Sequence, residues 1–379
     1  MRIMMISVND MSSSESPGVT KKLSGQFKAF QSLGHEVYHL CLNGGNGVLI
    51  GNGEKEVVVP TKPKAYFTIV SLFLMAPKLC AEHHIDMCYI RYPLADWAFM
   101  RMVKGLHGLC RVVVEIPTYP YDHQVVANAN MVTRINFFQD KRNRRRLSRY
   151  VDLITNYDNQ TEIYSTPCVS LTNGIDITRV RYLGDELVYK NDIQLIGVAR
   201  IQHHHGYDCL VEGMRKYYQV HSTPKVYFHI VGDGEARAEL EDMVTKYALG
   251  EYIIFHGVLT GKALEEAYLS CNIAVGELAA PQNEQKTTSS LKNKEYCAVG
   301  IPIIHVVRDN AVPCDAPYYK LLEHDGTSVD VRGIVEYFEF VKSHPEIHKQ
   351  MRRYAEEHLS WERQMEKVVP AVGTITERK

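Results

Sequence analysis

The sequence predicts an α/β protein made of two doubly wound, Rossmann-like domains facing each other across a cleft. Three observations lead there. The chain has 379 residues, more than one typical hydrophobic core organises. Short, continuously apolar runs, which suit strands buried on both faces of a parallel sheet, alternate with longer amphipathic runs. The pattern closes near residue 180 and restarts at Gln194. The expected boundaries are 1–180 and 190–359, with a C-terminal helix over 360–379 packing back on the first domain. Open sheets of this kind take ligands outside the carboxyl ends of their strands.

Met1 to Val8 is the first buried strand. The loop DMSSSESPGVTKK, the helix LSGQFKAFQSLG and the strand HEVYHLCL complete a first strand–helix–strand unit. That loop lacks G-x-G-x-x-G, so no dinucleotide fingerprint is present. Gly44 to Gly53 is turn-rich, and Val57 to Pro60 makes a short strand. A helix over 65–83, the strand IDMCYIRYP ending in Arg91, a helix over 94–107 and the strand 111–116 follow. The loop EIPTYPYDHQ then carries Glu115 and Asp122 toward a substrate, although proline-rich loops often only turn the chain. RINFFQDKRNRRRLSRY sets seven cations against one acid, Asp140, with Ile135, Phe137, Phe138 and Leu147 interleaved. A solvated face, a membrane-surface helix and a nucleic-acid arm all fit that pattern.

The second half repeats the alternation with QLIGVARI, HHHGYDCLVEGMRKYY, KVYFHIVGDGE, ARAELEDMVTKYAL, YIIFHGVL, LEEAYLSC and NIAVGEL. It culminates in KTTSSLKNKEYCAVGIPII, residues 286–304. There the hydroxyl run Thr287–Ser290 suits a turn or helix cap, and Gly300 stops the helix. Free N–H groups at a helix start beside Lys292 and Lys294 make an anion site, and Glu295 can accept from a ribose or sugar hydroxyl. A sugar nucleotide fits both; an ordinary amphipathic helix fits the same residues.

A net charge of -1 gives no global attraction to nucleic acid. Nine scattered cysteines without a C-x-x-C pair point to reduced thiols rather than a disulfide framework or zinc site. The start, MRIMMISVND, turns polar too early for a secretory signal, and the apolar run Ala65–Ala76 is too short to span a bilayer. A cytoplasmic protein is expected. Adjacent side chains in His203–His205 diverge and lack spaced partners, so no metal is expected there.

The order of LIGVARIQHHHGYDCLVEGM, HIVGDGEARAELE, FHGVLTGKALEEAYLSCNIAV, LKNKEYCAVGIPII and HLSWERQMEKV resembles GT-B glycosyltransferases of the retaining family-4 (group 1) type, and PGVTKKLSGQFKAFQSLGHEV and LTNGID agree. The resemblance spans nearly the whole chain. It implies a hexosyltransferase that moves a sugar from a nucleotide donor, most plausibly UDP-linked, with no metal required. The acceptor would be a glycan or lipid-linked molecule, with retention, in bacterial capsule or other cell-surface polysaccharide synthesis. Under it Arg200 binds the donor diphosphate and Glu295 the ribose. Gly18, His205, Gly232, Thr288, Ser289, Ser290 and Leu291 line the donor site, and Glu115 stands where many members carry a catalytic histidine. His205 occupies the usual lysine place, so donor binding should favour mildly acidic pH. Thr287 replaces the first acid of E-x7-E. A GT-B epimerase and a non-catalytic nucleotide-sugar scaffold are the alternatives. A lipid-linked acceptor would make 134–149 an anionic-membrane contact on the cytoplasmic face.

Overall fold

The computed structural model describes residues 1–13, 17–122, 131–157, 160–279, 287–288, 290–313 and 315–373. They form two compact units, Met1–Gly174 with Trp361–Lys379, and Ile175–Ser360.

In the first unit β1 (Arg2–Asp10), α1 (Pro17–Ser32) and β2 (Glu36–Asn43) form the opening strand–helix–strand unit, with β1 parallel to β2. α1 begins before Leu23, where the sequence had suggested its start. Pro17 fills the first helical position, where its missing N–H costs nothing and its fixed φ suits the helix. Gly18 therefore sits in the first helical turn rather than in a loop. β3 (Asn46–Gly51) and β4 (Glu54–Val59) extend β2 as an antiparallel meander. The turn residues read from 44–53 belong to its two hairpin loops. Gly44 and Gly45 occupy one and Asn52–Gly53 the other, all at positive φ.

α2 (Ala65–Glu82), β5 (Met87–Arg91), α3 (Trp97–Leu106) and β6 (Arg111–Ile116) follow the expected spans closely. Next come α4 (Met131–Asn143), β7 (Leu153–Asn156), β8 (Glu162–Ile163) and β9 (Thr166–Ser170). The sheet order is β4-β3-β2-β1-β5-β6-β7-β9-β8; β2, β1, β5, β6, β7 and β9 run parallel, and β8 is antiparallel to β9. The chain goes from β1 to one side first and to the other later, so the switch point lies between β1 and β5. Among the described residues α2 is the one helix long and apolar enough to cross a membrane. The helix thus runs past the Ala65–Ala76 stretch expected to be too short for that; it buries Leu72, Phe73, Ala76 and Leu79 against the unit, and Pro77 meets α3 at Gly105.

The second unit contains β10 (Ile193–Val198), α5 (Tyr207–Tyr218), β11 (Val226–Val231), α6 (Arg237–Lys246), β12 (Ile253–Gly257), α7 (Gly261–Leu269) and β13 (Ile273–Val275). It continues with β14 (Thr287–Thr288), α8 (Leu291–Val299), β15 (Ile303–His305), β16 (Arg308–Asp309), β17 (Tyr319–Leu321), α9 (Val331–Ser343) and α10 (Glu346–Tyr354). Its main sheet, β12-β11-β10-β13-β15-β17, is wholly parallel. Here the switch point lies between β10 and β13. Ile175 and Ser360 pair where the chain enters and leaves this unit. α11 (Trp361–Met365) and α12 (Val368–Gly373) then belong to the first unit. The single helix read from HLSWERQMEKVV is broken, because Ser360 is extended and a π turn precedes it.

Candidate functional site

The carboxyl ends of β10 and β13, neighbours at the switch point, carry the densest group of candidate residues. β10 ends at Val198, so Arg200 stands in the following loop, exposed and without a carboxylate partner among the described residues. Tyr296 fixes the end of β10, its hydroxyl accepting from the Val198 N–H at 2.9 Å. The loop then makes one 3-10 turn, His203–His205, and Gly206 turns left-handed (φ 66°) to start α5. A Cβ on Gly206 would lie 2.0 Å from the Ala279 nitrogen, so only glycine lets the two loops touch. The Leu278 N–H donates to the His205 carbonyl at 2.9 Å, closing that contact.

Gly232, expected to line the donor site, has φ 130°, and its Cβ would lie 1.8 Å from the Ala199 carbonyl oxygen. Its side-chain face is filled by the loop of Arg200. Gly232 therefore shapes that loop from behind.

α8 enters from the other side. Lys292, Asn293, Lys294, Tyr296, Cys297, Ala298 and Val299 are buried, while Leu291 and Glu295, one turn apart, form its half-exposed face. Leu291 and Glu295, both expected to line the donor site, are thus the residues of α8 that solvent reaches. Ser290 is the extended cap, its N–H donating to Asp309 Oδ2 at 3.2 Å. Asp309 also accepts from Asn293 Nδ2 at 3.0 Å. It lies 3.7 Å from Lys294 Nζ, with both side chains fully buried. One of the two lysines is therefore structural: Lys294 is neutralised by Asp309 and ties α8 to β16. Thr288 contributes its backbone to β14, and Ser289 lies outside the described residues.

Lys292 is the other kind. Its Nζ donates to the Gly276 carbonyl at 2.9 Å and lies 5.4 Å from the centre of the Tyr207 ring. Burial lowers its ammonium to about 8, against a partial rise from half-exposed Glu277. The Tyr207 hydroxyl and Asn293 Oδ1 around it are buried without a hydrogen-bond partner. Lys292 thus lies under α5, and its charge reaches His205 in the loop that follows β10.

His205 is placed differently from expectation. It is 8% exposed, stacks on Tyr207 at 5.6 Å, and its Nδ1 accepts from the Gln202 N–H at 3.2 Å. Burial, then the charge of Lys292, lowers its pKa to about 3. It is a neutral packing and capping group near neutral pH, and the expected acid-favoured binding through it is corrected. The sequence showed Lys292 as one of two helix cations. It could not show that the fold would bury this one beside His205.

Residues expected from the first half lie in the other unit. Gly18 is exposed in the first turn of α1. Glu115, expected to be catalytic, is 0% exposed. Its carboxylate meets Lys22 Nζ at 3.1 Å and Arg91 Nη1 at 2.8 Å, and accepts from Tyr89 Oη at 2.7 Å and from Gln26. Burial alone would raise its pKa, but Lys22 and Arg91 outweigh that and hold it at about 2. With its oxygens engaged and no surface open, it is an anchor for Arg91 and Lys22 at the carboxyl ends of the strands. The catalytic reading of Glu115 is corrected on those grounds.

The basic stretch is the third feature. Its one acid, Asp140, is fully buried and accepts from Tyr92 Oη, from the Ala95 N–H at 2.9 Å and from Tyr121 Oη at 2.8 Å. It pins α4 to the unit. Arg144 pairs with Asp122 at 2.6 Å. Arg134, Lys141, Arg142, Arg145, Arg146 and Arg149 remain exposed, together with Ile135 (53%) and Phe138 (73%). The Trp97 N–H donates to Gln139 Oε1 at 3.0 Å and its indole N–H to Tyr66 Oη at 3.2 Å. These bonds join α3 to α4 and α2, and Trp97 and Phe67 are exposed as well.

The family model described as glycosyl transferases group 1 matches residues 182–358, nearly all of the second unit. No curated protein sequence matches the chain. Solved structures share the fold over its full length. A glycosyltransferase from Rickettsia africae superposes with a TM-score of 0.68 at 12% identity, covering 100% of this chain and 99% of that one. Anabaena Alr3699/HepE in complex with UDP gives 0.58 at 11% identity, covering 99% and 100%. The catalytic domain of starch synthase IV from Arabidopsis thaliana, bound to ADP and acarbose, gives 0.60 at 12% identity, covering 98% and 99%.

Proposed function

We propose that this chain, a GT-B-fold glycosyltransferase whose second unit is a glycosyl transferases group 1 domain, uses a UDP-linked donor and retains anomeric configuration. The acceptor is a glycan or lipid-linked molecule at the cytoplasmic face of a bacterial membrane, in capsule or related cell-surface polysaccharide synthesis. The observation that carries the reading is Lys292, buried at the head of α8 on the Gly276 carbonyl, with its charge reaching His205 in the loop after β10. A buried ammonium with one backbone carbonyl as acceptor is costly, and a diphosphate beside it restores the charge that burial suppresses. In this reading Arg200 and Lys292 take up the leaving diphosphate's charge as the glycosidic bond breaks, and Glu295 accepts from the ribose. UDP on the Anabaena structure supports the choice of nucleotide.

The acceptor side rests on the exposed cations and aromatics of the stretch 134–149, with those of α2 and α3. Such a surface suits anionic headgroups with rings at the interface, which supports a lipid-linked acceptor. The test is UDP release from a panel of UDP-sugars with and without a lipid-linked acceptor, followed by product NMR. Acceptor-dependent UDP release with an unchanged anomeric centre is expected. Interconversion of free sugars would favour an epimerase, and binding without turnover a scaffold.

A further inference from the structure

The fold brings together three thiols that the sequence keeps far apart. Cys80 lies in the last turn of α2, Cys88 is the second residue of β5, and Cys110 immediately precedes β6. β5 and β6 run side by side with Cys88 opposite Val112, which puts Cys110 at the same end of the sheet. The three Sγ atoms all lie within 4.8 Å of one another, and the Cys110 thiol is 3.5 Å from Cys88 Sγ. Cys80 and Cys88 are buried, and Cys110 is half-buried, which leaves one way in from solvent.

Thiols in a core act as small hydrophobes, and three could meet for packing alone. Their mutual spacing is more particular than packing requires. A cation bonded to three thiolates at ~2.3 Å holds the sulfurs ~4 Å apart, a spacing these side chains reach with shifts below about 1 Å. We propose that Cys80, Cys88 and Cys110 form a binding site for one thiophilic d10 cation of the zinc class. Binding converts three thiols and M2+ into a tris-thiolate complex and releases three protons, with the fourth position open on the Cys110 side. The site lies at the amino ends of β5 and β6, whereas ligands of such sheets gather at the carboxyl ends. Its role is structural, joining the end of α2 to two central strands.

The experiment uses the reduced full-length protein, stripped with a chelator and titrated with Cd2+ as the probe. One Cd2+ per chain is expected, with a thiolate-to-Cd2+ charge-transfer absorption that Zn2+ abolishes and a rise in melting temperature with either metal. Cys88→Ser and Cys110→Ser should lose the absorption, while Cys41→Ser, buried in β2, keeps it. Cys110→Ser alters a half-exposed position and decides the matter if Cys88→Ser does not fold. Absence of the absorption in wild type, or its survival in Cys110→Ser, overturns the proposal. Neither result bears on donor turnover, so this inference and the glycosyltransfer reading fail separately.

Discussion

Two buried charges do opposite jobs in the two units. Glu115 is matched by Lys22 and Arg91 within 3.1 Å. Removing its charge leaves two cations in a dry place, and breaking such a group costs about 3–5 kcal/mol. Glu115→Gln should therefore lower the stability of the first unit by that amount, read from denaturant unfolding. Its folded pKa is depressed to about 2. The contribution is complete above the ordinary carboxylate range and lost as pH falls through about 2, so the gap between wild type and variant should close in acid. Among the described residues Lys292 has no carboxylate in salt-bridge contact, only the more distant Glu277. If it meets the donor diphosphate, Lys292→Met loses a charged hydrogen bond worth about 1.5–3 kcal/mol, a UDP affinity roughly 10–100-fold weaker by calorimetry. The unliganded ammonium titrates near 8, so wild-type affinity should fall as pH rises beyond about 8, while Lys292→Met shows no such fall. Parallel pH profiles would remove Lys292 from the site. Neither role could be read from residue type alone, because burial separates them. Glu115 looked available at the end of a strand, and His205 looked like a stand-in for lysine until its ring proved to be packed on Tyr207.

At the level of elements, the sequence was most legible where period and punctuation agree. β5, β6, α2 and α3 fall almost where apolar runs and their flanking turn residues put them. Of the β3–β4 meander only the end of the second strand was legible, because the glycines of its loops made 44–53 read as turn. α4 is a different case. Its pattern left three readings open, and burial of Asp140 resolves which of its charges face outward. The outer face carries Phe138 and Ile135 among exposed arginines, and α3 and α2 expose Trp97 and Phe67. Each cation near an anionic surface contributes about 1 kcal/mol, and the exposed rings add apolar insertion. Replacing Arg145 and Arg146 with alanine should weaken binding to anionic vesicles at least tenfold, since about 2 kcal/mol exceeds one decade. Phe138→Glu should weaken it further without changing UDP affinity. Equal sedimentation of wild type and variants with anionic vesicles, or of wild type with neutral and anionic ones, would leave α4 as a solvated face.

The whole chain is threaded so that its end completes its beginning. Trp361 is wedged between α1 and the last residues before the second unit. A Cβ on Gly25 would lie 2.3 Å from its indole, and one on Gly174 2.6 Å. Only two glycines facing each other leave room for a ring there. Gln364 holds the Thr172 N–H at 3.0 Å, and Met365, Val368 and Val372 join Ile3, Leu23 and Phe30 in one cluster. The first unit's core is thus unfinished until the second unit has been synthesised. Burying each large apolar side chain stabilises by about 1.5–3 kcal/mol, so the four from this segment amount to about 6–12 kcal/mol, as much as a typical domain's whole stability. A chain ending at Ser360 should therefore show loss of the first unit's melting transition in scanning calorimetry, while the second unit still unfolds cooperatively. The milder Trp361→Ala, at a cost of about 3–5 kcal/mol, should lower that transition without removing it. If the shortened chain melts like the full one, the segment is an attachment rather than part of the core.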